Sequence, residues 1–218
     1  MKSWFQRWVV SVGIAEFIGI GVATVAFIAC NKLIGEPVAW WQKSTVLAAI
    51  IVAGGIEGWL VGYFQAKRLR ELIPELDSRA WIRRTVALAA STWFLGMLPS
   101  TIFFADAAAD NAPTPDFPLW LTILSAMLMG LLFGAVFGWV QMPVLKLQVG
   151  RPARSWVLAN ALAWAAGLWW VFFFAALPDG TEPLLFIVAG GVLSGLLMGL
   201  TVGFVTGLFL MKMLKKNK

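Results

Sequence analysis

The 218 residues are 60% hydrophobic and only 13% charged, with a mean hydropathy of +0.82. A soluble domain carries about 25% charged residues, so half the usual charge is missing and an ordinary water-soluble fold is excluded. One Cys and no His exclude an intramolecular disulfide, a CxxC redox pair, a Cys/His zinc site and His-ligated haem.

Apolar runs recur at the length of roughly 20 residues that a helix needs to cross a bilayer. They predict spans at 8–30, 45–66, 85–104, 119–142, 156–177 and 184–211. The first span opens after Ser3-Trp4, carries Glu16 and ends near Cys30. Phe27-Ile28-Ala29-Cys30 is faintly similar to a lipoprotein cleavage site, but the long apolar stretch and Glu16 favour an inert buried Cys.

The second span holds Gly54-x3-Gly58-x3-Gly62-x2-Gln65, with Glu57 one position off the glycine row. Gly at every fourth residue leaves a bare groove on one helix face, against which another helix can pack closely. Beyond it, in 67–76, Leu69, Leu72, Ile73 and Leu76 fall at i, i+3, i+4 and i+7, with Arg68, Arg70, Glu71 and Glu75 between them. That stripe predicts either an interfacial amphipathic helix or an extension of the span.

The third span follows Ala80-Trp81, and Pro99 should end or kink it. Asp106, Asp110 and Asp116 make the next loop acidic, a solvated face rather than a calcium site. The fourth span repeats the pattern as Gly130-x3-Gly134-x3-Gly138-x2-Gln141, closed by Pro143. The fifth opens at Ser155-Trp156 and carries Asn160; the sixth continues the ridge through Gly191, Gly195, Gly199, Gly203 and Gly207, with Thr206 where Gln would stand.

Of the 17 Lys and Arg, all but Lys32 and Lys43 lie at the termini and in the second and fourth connections. The positive-inside rule then places both termini in the cytoplasm. The net charge of +6 is accounted for by these loops, with attraction to anionic lipid and no nucleic-acid partner. Trp4, Trp8, Trp81 and Trp156 on one side, and Trp40, Trp41 and Trp120 on the other, read as aromatic belts. The deeper Trp59, Trp93, Trp139 and Trp164 read as space-filling.

The expected fold is an all-α integral membrane domain, 1–218. Its six transmembrane helices form three parallel-repeat hairpins, at about 1–78, 79–153 and 154–218. Gly54, Gly58, Gly62, Gly130, Gly134, Gly138, Gly195, Gly199 and Gly203 are its packing glycines; Gln65, Gln141 and Asn160 are its polar helix contacts.

The G-x3-G-x2-Q ending, followed by a basic loop and a Trp-started helix, resembles a loose group of bacterial polytopic membrane proteins over residues 54–96 and 130–167. In that group Trp commonly follows the Gln; here Trp139 precedes Gln141. The resemblance implies a multi-pass membrane protein and carries no activity with it; the expected location is the inner membrane.

Catalytic motifs, metal sites and cofactor sites are not found in the sequence: there is no His base, nucleophile elbow or P-loop. The leading expectation is a non-catalytic structural or accessory membrane subunit, or a self-assembling bundle, with lipid and other membrane subunits or itself as partners. The alternative is a small proton- or cation-coupled transporter or channel using Glu16 and Glu57, whose depths match if their helices are neighbours. A weaker alternative is lipid, quinone or carotenoid binding between helices.

Overall fold

A computed structural model describes residues 2–35, 37–103, 117–149, 154–178 and 181–215. The acidic loop with Asp106, Asp110 and Asp116 lies outside them. There are six long helices and no strand among the described residues. They are α1 (Lys2–Ile34), α2 (Trp40–Leu69), α3 (Ser78–Leu98), α4 (Leu119–Val149), α5 (Arg154–Ala175) and α6 (Leu184–Lys215). Each is long and apolar enough to cross a membrane. Cys30 is buried in α1, which runs on past it to Ile34.

Proline acts differently at its two positions. At Pro99 the α-helix ends and a π-helical turn, Pro99–Phe103, prolongs α3. At Pro143, where the sequence predicts an end, α4 continues to Val149. The missing amide of Pro143 leaves only the carbonyl of exposed Trp139 without its helical donor, a loss the helix tolerates.

Of the amphipathic 67–76 segment only residues 67–69 extend α2, and the rest becomes neither of the two expected helices. Residues 70–75 form turns, because Pro74 disfavours helical backbone at Ile73. Its apolar stripe folds under the bundle, burying Leu69, Ile73 and Leu76. Asp77 then caps α3, accepting the Ala80 amide at 2.9 Å.

Each helix packs on its neighbours in the chain, and α6 returns to α1, closing a ring. The glycine ridges are the closest joints, and each faces one particular helix. A methyl group on Gly62 would lie 3.1 Å from Ile82 Cα; on Gly138, 2.5 Å from Val157 Cα; on Gly203, 2.9 Å from Val9 Cα. The ridge of α2 thus meets α3, that of α4 meets α5, and that of α6 meets α1. One turn further on, Gly58 meets Val86, Gly134 meets Ala161 and Gly199 meets Gly13.

Ile82, Val157 and Val9 each follow a tryptophan by one residue. The tryptophan matching Trp81 and Trp156 in the contacts is therefore Trp8, four residues later than the Ser3-Trp4 register that the sequence suggests. Nor do these rings form a belt. Trp4, Trp8, Trp81 and Trp156 are at most 3% exposed and make the core of the bundle's basic end with Leu69 and Leu145. Trp59 and Trp139 depart the other way: both stand exposed on the outer surface instead of filling space.

The ridge contacts are made to backbone atoms that cannot step aside. Gly138→Ala is expected to destabilise the protein by about 1–3 kcal/mol through overpacking. Gly55→Ala, with nothing within 4 Å of its added methyl, should be neutral or stabilising by up to about 1 kcal/mol. Thermal unfolding in one mild detergent measures both; equal midpoints for the two variants would contradict the assignment.

Candidate functional site

Glu16 and Glu57 come together from different helices. Glu16 is 14 residues into α1 and Glu57 is 12 before the end of α2, roughly 21 and 18 Å along their axes from the basic end. Both are buried, at 1% and 3% exposure. Room for them is made by missing side chains: a methyl on Gly19 of α1 would lie 2.6 Å from Glu57 Cγ, and one on Gly199 of α6 would lie 2.7 Å from Glu16 Cβ. Glu57, off the ridge, thus points at α1 while the ridge itself points at α3.

The two carboxyls lie within hydrogen-bonding reach of each other. A carboxylate only accepts, so a bond between two carboxyls needs a proton on at least one of them. Glu57 Oε2 also accepts the indole N–H of Trp93, at 2.7 Å. The Trp93 ring rests on Gly54, close enough that a methyl there would collide with it. Glu16 Oε2, by contrast, is buried with no hydrogen-bond partner among the described residues. The sequence reads Trp93 only as space-filling and does not mark Gly19, because nothing local to either shows which carboxyl lies opposite.

A second polar cluster occupies the basic end and is fully paired. Trp81 Nε1 donates to Gln65 Oε1 and Trp156 Nε1 to Gln141 Oε1, each at 3.2 Å; Trp8 Nε1 donates to Thr206 Oγ1 at 3.1 Å. Gln141 Nε2 then donates to Thr85 Oγ1 at 2.9 Å, and Arg84 Nη1 to the Val140 carbonyl at 2.5 Å, tying α3 to α4. Gln65 and Gln141 are interhelical contacts, as expected, with a tryptophan as donor. Asn160 is not: its amide turns back on the Trp156 carbonyl of its own helix at 2.9 Å.

At the rim of this end, Arg68 bonds Ser11 Oγ at 2.8 Å and Glu71 at 2.6 Å, Arg7 reaches Glu71 at 2.8 Å, and Trp4 Nε1 donates to the Arg68 carbonyl at 2.9 Å. Arg7 first and Arg68 second hold the Glu71 carboxyl below its usual range. At the opposite end lies a recess between α5 and α6, lined by Phe174, Leu177, Phe186 and Leu193 among other apolar residues.

Among the described residues, no group of three His, Cys, Asp or Glu side chains gathers to hold a metal. Comparison with protein families, curated proteins and solved structures finds no match.

Replacing Gln141 by Leu strands the Trp156 N–H and removes the bond to Thr85, at an expected cost of about 1–3 kcal/mol. Unfolding of Gln141→Leu and Trp156→Phe singly and together tests this: additive losses would mean that the two do not interact. Glu71 has a depressed folded pKa, so its contribution is present above the ordinary carboxyl range and lost as pH falls through it. The detergent melting temperature should therefore fall modestly below about pH 4, and Glu71→Gln should shrink that fall; an identical fall in both proteins would remove Glu71 from the account.

Proposed function

We propose that this chain is a non-catalytic, proton- or cation-coupled carrier or channel of the inner membrane, with Glu16 and Glu57 as its ion site. One observation carries the reading: two acids from different helices share a site near mid-span, and one carboxyl oxygen is buried without a partner among the described residues. Burying an acid in a membrane costs several kcal/mol unless it is neutralised or paired with a cation. Along α2, Arg68 and Lys43 stand roughly 16 and 21 Å away from Glu57. Adhesion between the helices is already supplied by the glycine ridges and the Trp–Gln contacts, so a bundle built only to pack gains nothing from the pair.

The arrangement in the membrane belongs to the same proposal. The one-sided distribution of Lys and Arg puts the basic end, with both termini, in the cytoplasm. The paired contacts of Gly62, Gly138 and Gly203 support three parallel repeats, each an even helix with the odd helix after it, the third closed by α6 on α1. The hairpins at 1–78, 79–153 and 154–218 are then offset from the packing units by one helix.

A structural or accessory subunit is the second reading, favoured by the exposed aromatics Trp59 and Tyr63 of α2, Trp139 of α4 and Phe204 of α6. Since the glycine ridges are occupied within the chain, its partner or second copy would bind through those rings.

Reconstituted liposomes with an internal pH dye separate the two. A pH step across the membrane is expected to drive proton flux in the wild type and not in Glu57→Gln, which keeps an acceptor for Trp93. Wild-type flux no greater than in empty liposomes would overturn the carrier reading. Native mass spectrometry showing a stoichiometric membrane partner in its place would favour the second.

A further inference from the structure

The ligand of the acid pair follows from the groups that surround it. Hard metal cations gather six or more oxygens, whereas the pair brings two carboxyls whose oxygens are partly committed. Glu16 and Glu57 lie within hydrogen-bonding reach of each other, and Glu57 Oε2 is held by the Trp93 N–H at 2.7 Å. The surfaces beside them are Gly19 of α1, Gly199 and Gly195 of α6, and the indole of α3. None of these adds a charge or a side-chain oxygen. An N–H points its positive end at the pair, where a metal ion would need another oxygen.

We propose that this site is selective for the proton over alkali cations, and that Trp93 is the residue that sets the selectivity. The proposal rests on the carrier reading and names its substrate. In the protonated state, one proton bridges Glu16 and Glu57, with Glu57 the better anion because Trp93 donates to it. Release of that proton leaves two carboxylates side by side, which separate or draw in water. A sodium or lithium ion could replace the proton only by recruiting Glu57 Oε2 from the indole. Trp93 touches the ligand-binding carboxyl and not the ligand, so it is a positioning residue.

The test measures proton binding by purified full-length protein in detergent after small pH steps, with sodium, lithium or choline chloride at equal ionic strength. For the wild type, one proton per chain is expected to bind with an affinity the same in all three salts, and in Glu16→Gln and Glu57→Gln, where a lone carboxyl replaces the pair, the proton affinity should change. Trp93→Phe keeps a ring over Gly54 but lacks the N–H; its proton affinity should differ from wild type by about tenfold, the size of one hydrogen bond to a charged group, and should become sensitive to sodium or lithium. Gly54→Ala, whose methyl collides with the indole, should reproduce that change with Trp93 intact, so that a folding failure in one variant leaves the other informative. Competition by sodium or lithium in the wild type overturns proton selectivity while leaving the acid pair as an ion site. Variants that bind protons with wild-type affinity and no salt dependence overturn the role of Trp93. No difference between the wild type and either Gln variant removes the carrier reading itself.

Discussion

Close approach of helix backbones at glycine is the contact on which the other features of this molecule rest. Between apolar helices in an apolar surrounding there is no hydrophobic driving force, so association depends on dispersion and on polar bonds that close approach permits. The ridges of α2, α4 and α6 supply that approach to α3, α5 and α1. Closing the ring by α6 on α1 uses the same kind of joint as the two pairs that are consecutive in the chain. It also explains where Glu57 goes. At 100° per residue, position 57 lies about 60° from Gly54 and 100° from Gly58 around the helix, on the flank of a ridge committed to α3. The remaining neighbour on that flank is α1, and Gly19 leaves the space there.

The two polar clusters follow different rules. At the basic end Trp81, Trp156 and Trp8 each donate to an acceptor on the partner helix of their glycine joint, Gln65, Gln141 and Thr206 in turn, while Trp4 donates to the Arg68 carbonyl of α2. Donor and acceptor are neutral, so the bonds stabilise the bundle without asking it to hold charge. The Glu16–Glu57 pair is the opposite case, with excess acceptors, a proton needed for its central bond, and one oxygen left over. A half-satisfied polar site inside a packed bundle is costly, and such sites are where function is expected to interrupt packing.

Much of the architecture is legible in the sequence, because its signals are periodic. Six apolar runs match the six helices, and a four-residue glycine spacing marks the packing face of α2, α4 and α6. What the period cannot say is which helix lies opposite. A hairpin between consecutive spans is the natural guess from the basic loops, whereas the close joints run one helix further along the chain. The register of Trp8 was hidden for the same reason: Ser3-Trp4 matches the other starts in local sequence, and only contact with Val9 shows that Trp8 occupies the shared position. Tryptophan near a basic residue also reads as a membrane-interface belt, until Leu69, Ile73 and Leu76 close beneath the four rings and bury them. Glu16 and Glu57 were visible as acids inside apolar spans. Trp93 as the donor to one of them is a tertiary fact with no local trace.

The shared register gives the acid pair a sharper meaning. Eight residues after Trp8, Trp81 and Trp156 stand Glu16, Ala89 and Trp164. Ala89 faces Gly58 and Glu16 faces Gly199, with Trp164 close by Gly130, so one level of the ring holds a methyl, an indole and a carboxyl at matching positions. Packing is met by the first two, since a small side chain fits the groove and a large ring stacks beside it, as Trp164 does on Phe137 with centroids 4.5 Å apart. Only the joint that closes the ring places an acid there, and only its neighbour α2 answers with a second. The carboxyls therefore meet where the last helix, the first and the second come together, at the one joint whose two helices are not consecutive in the chain. A shift of α6 against α1 would move Gly199 from behind Glu16 and change the distance between the two acids.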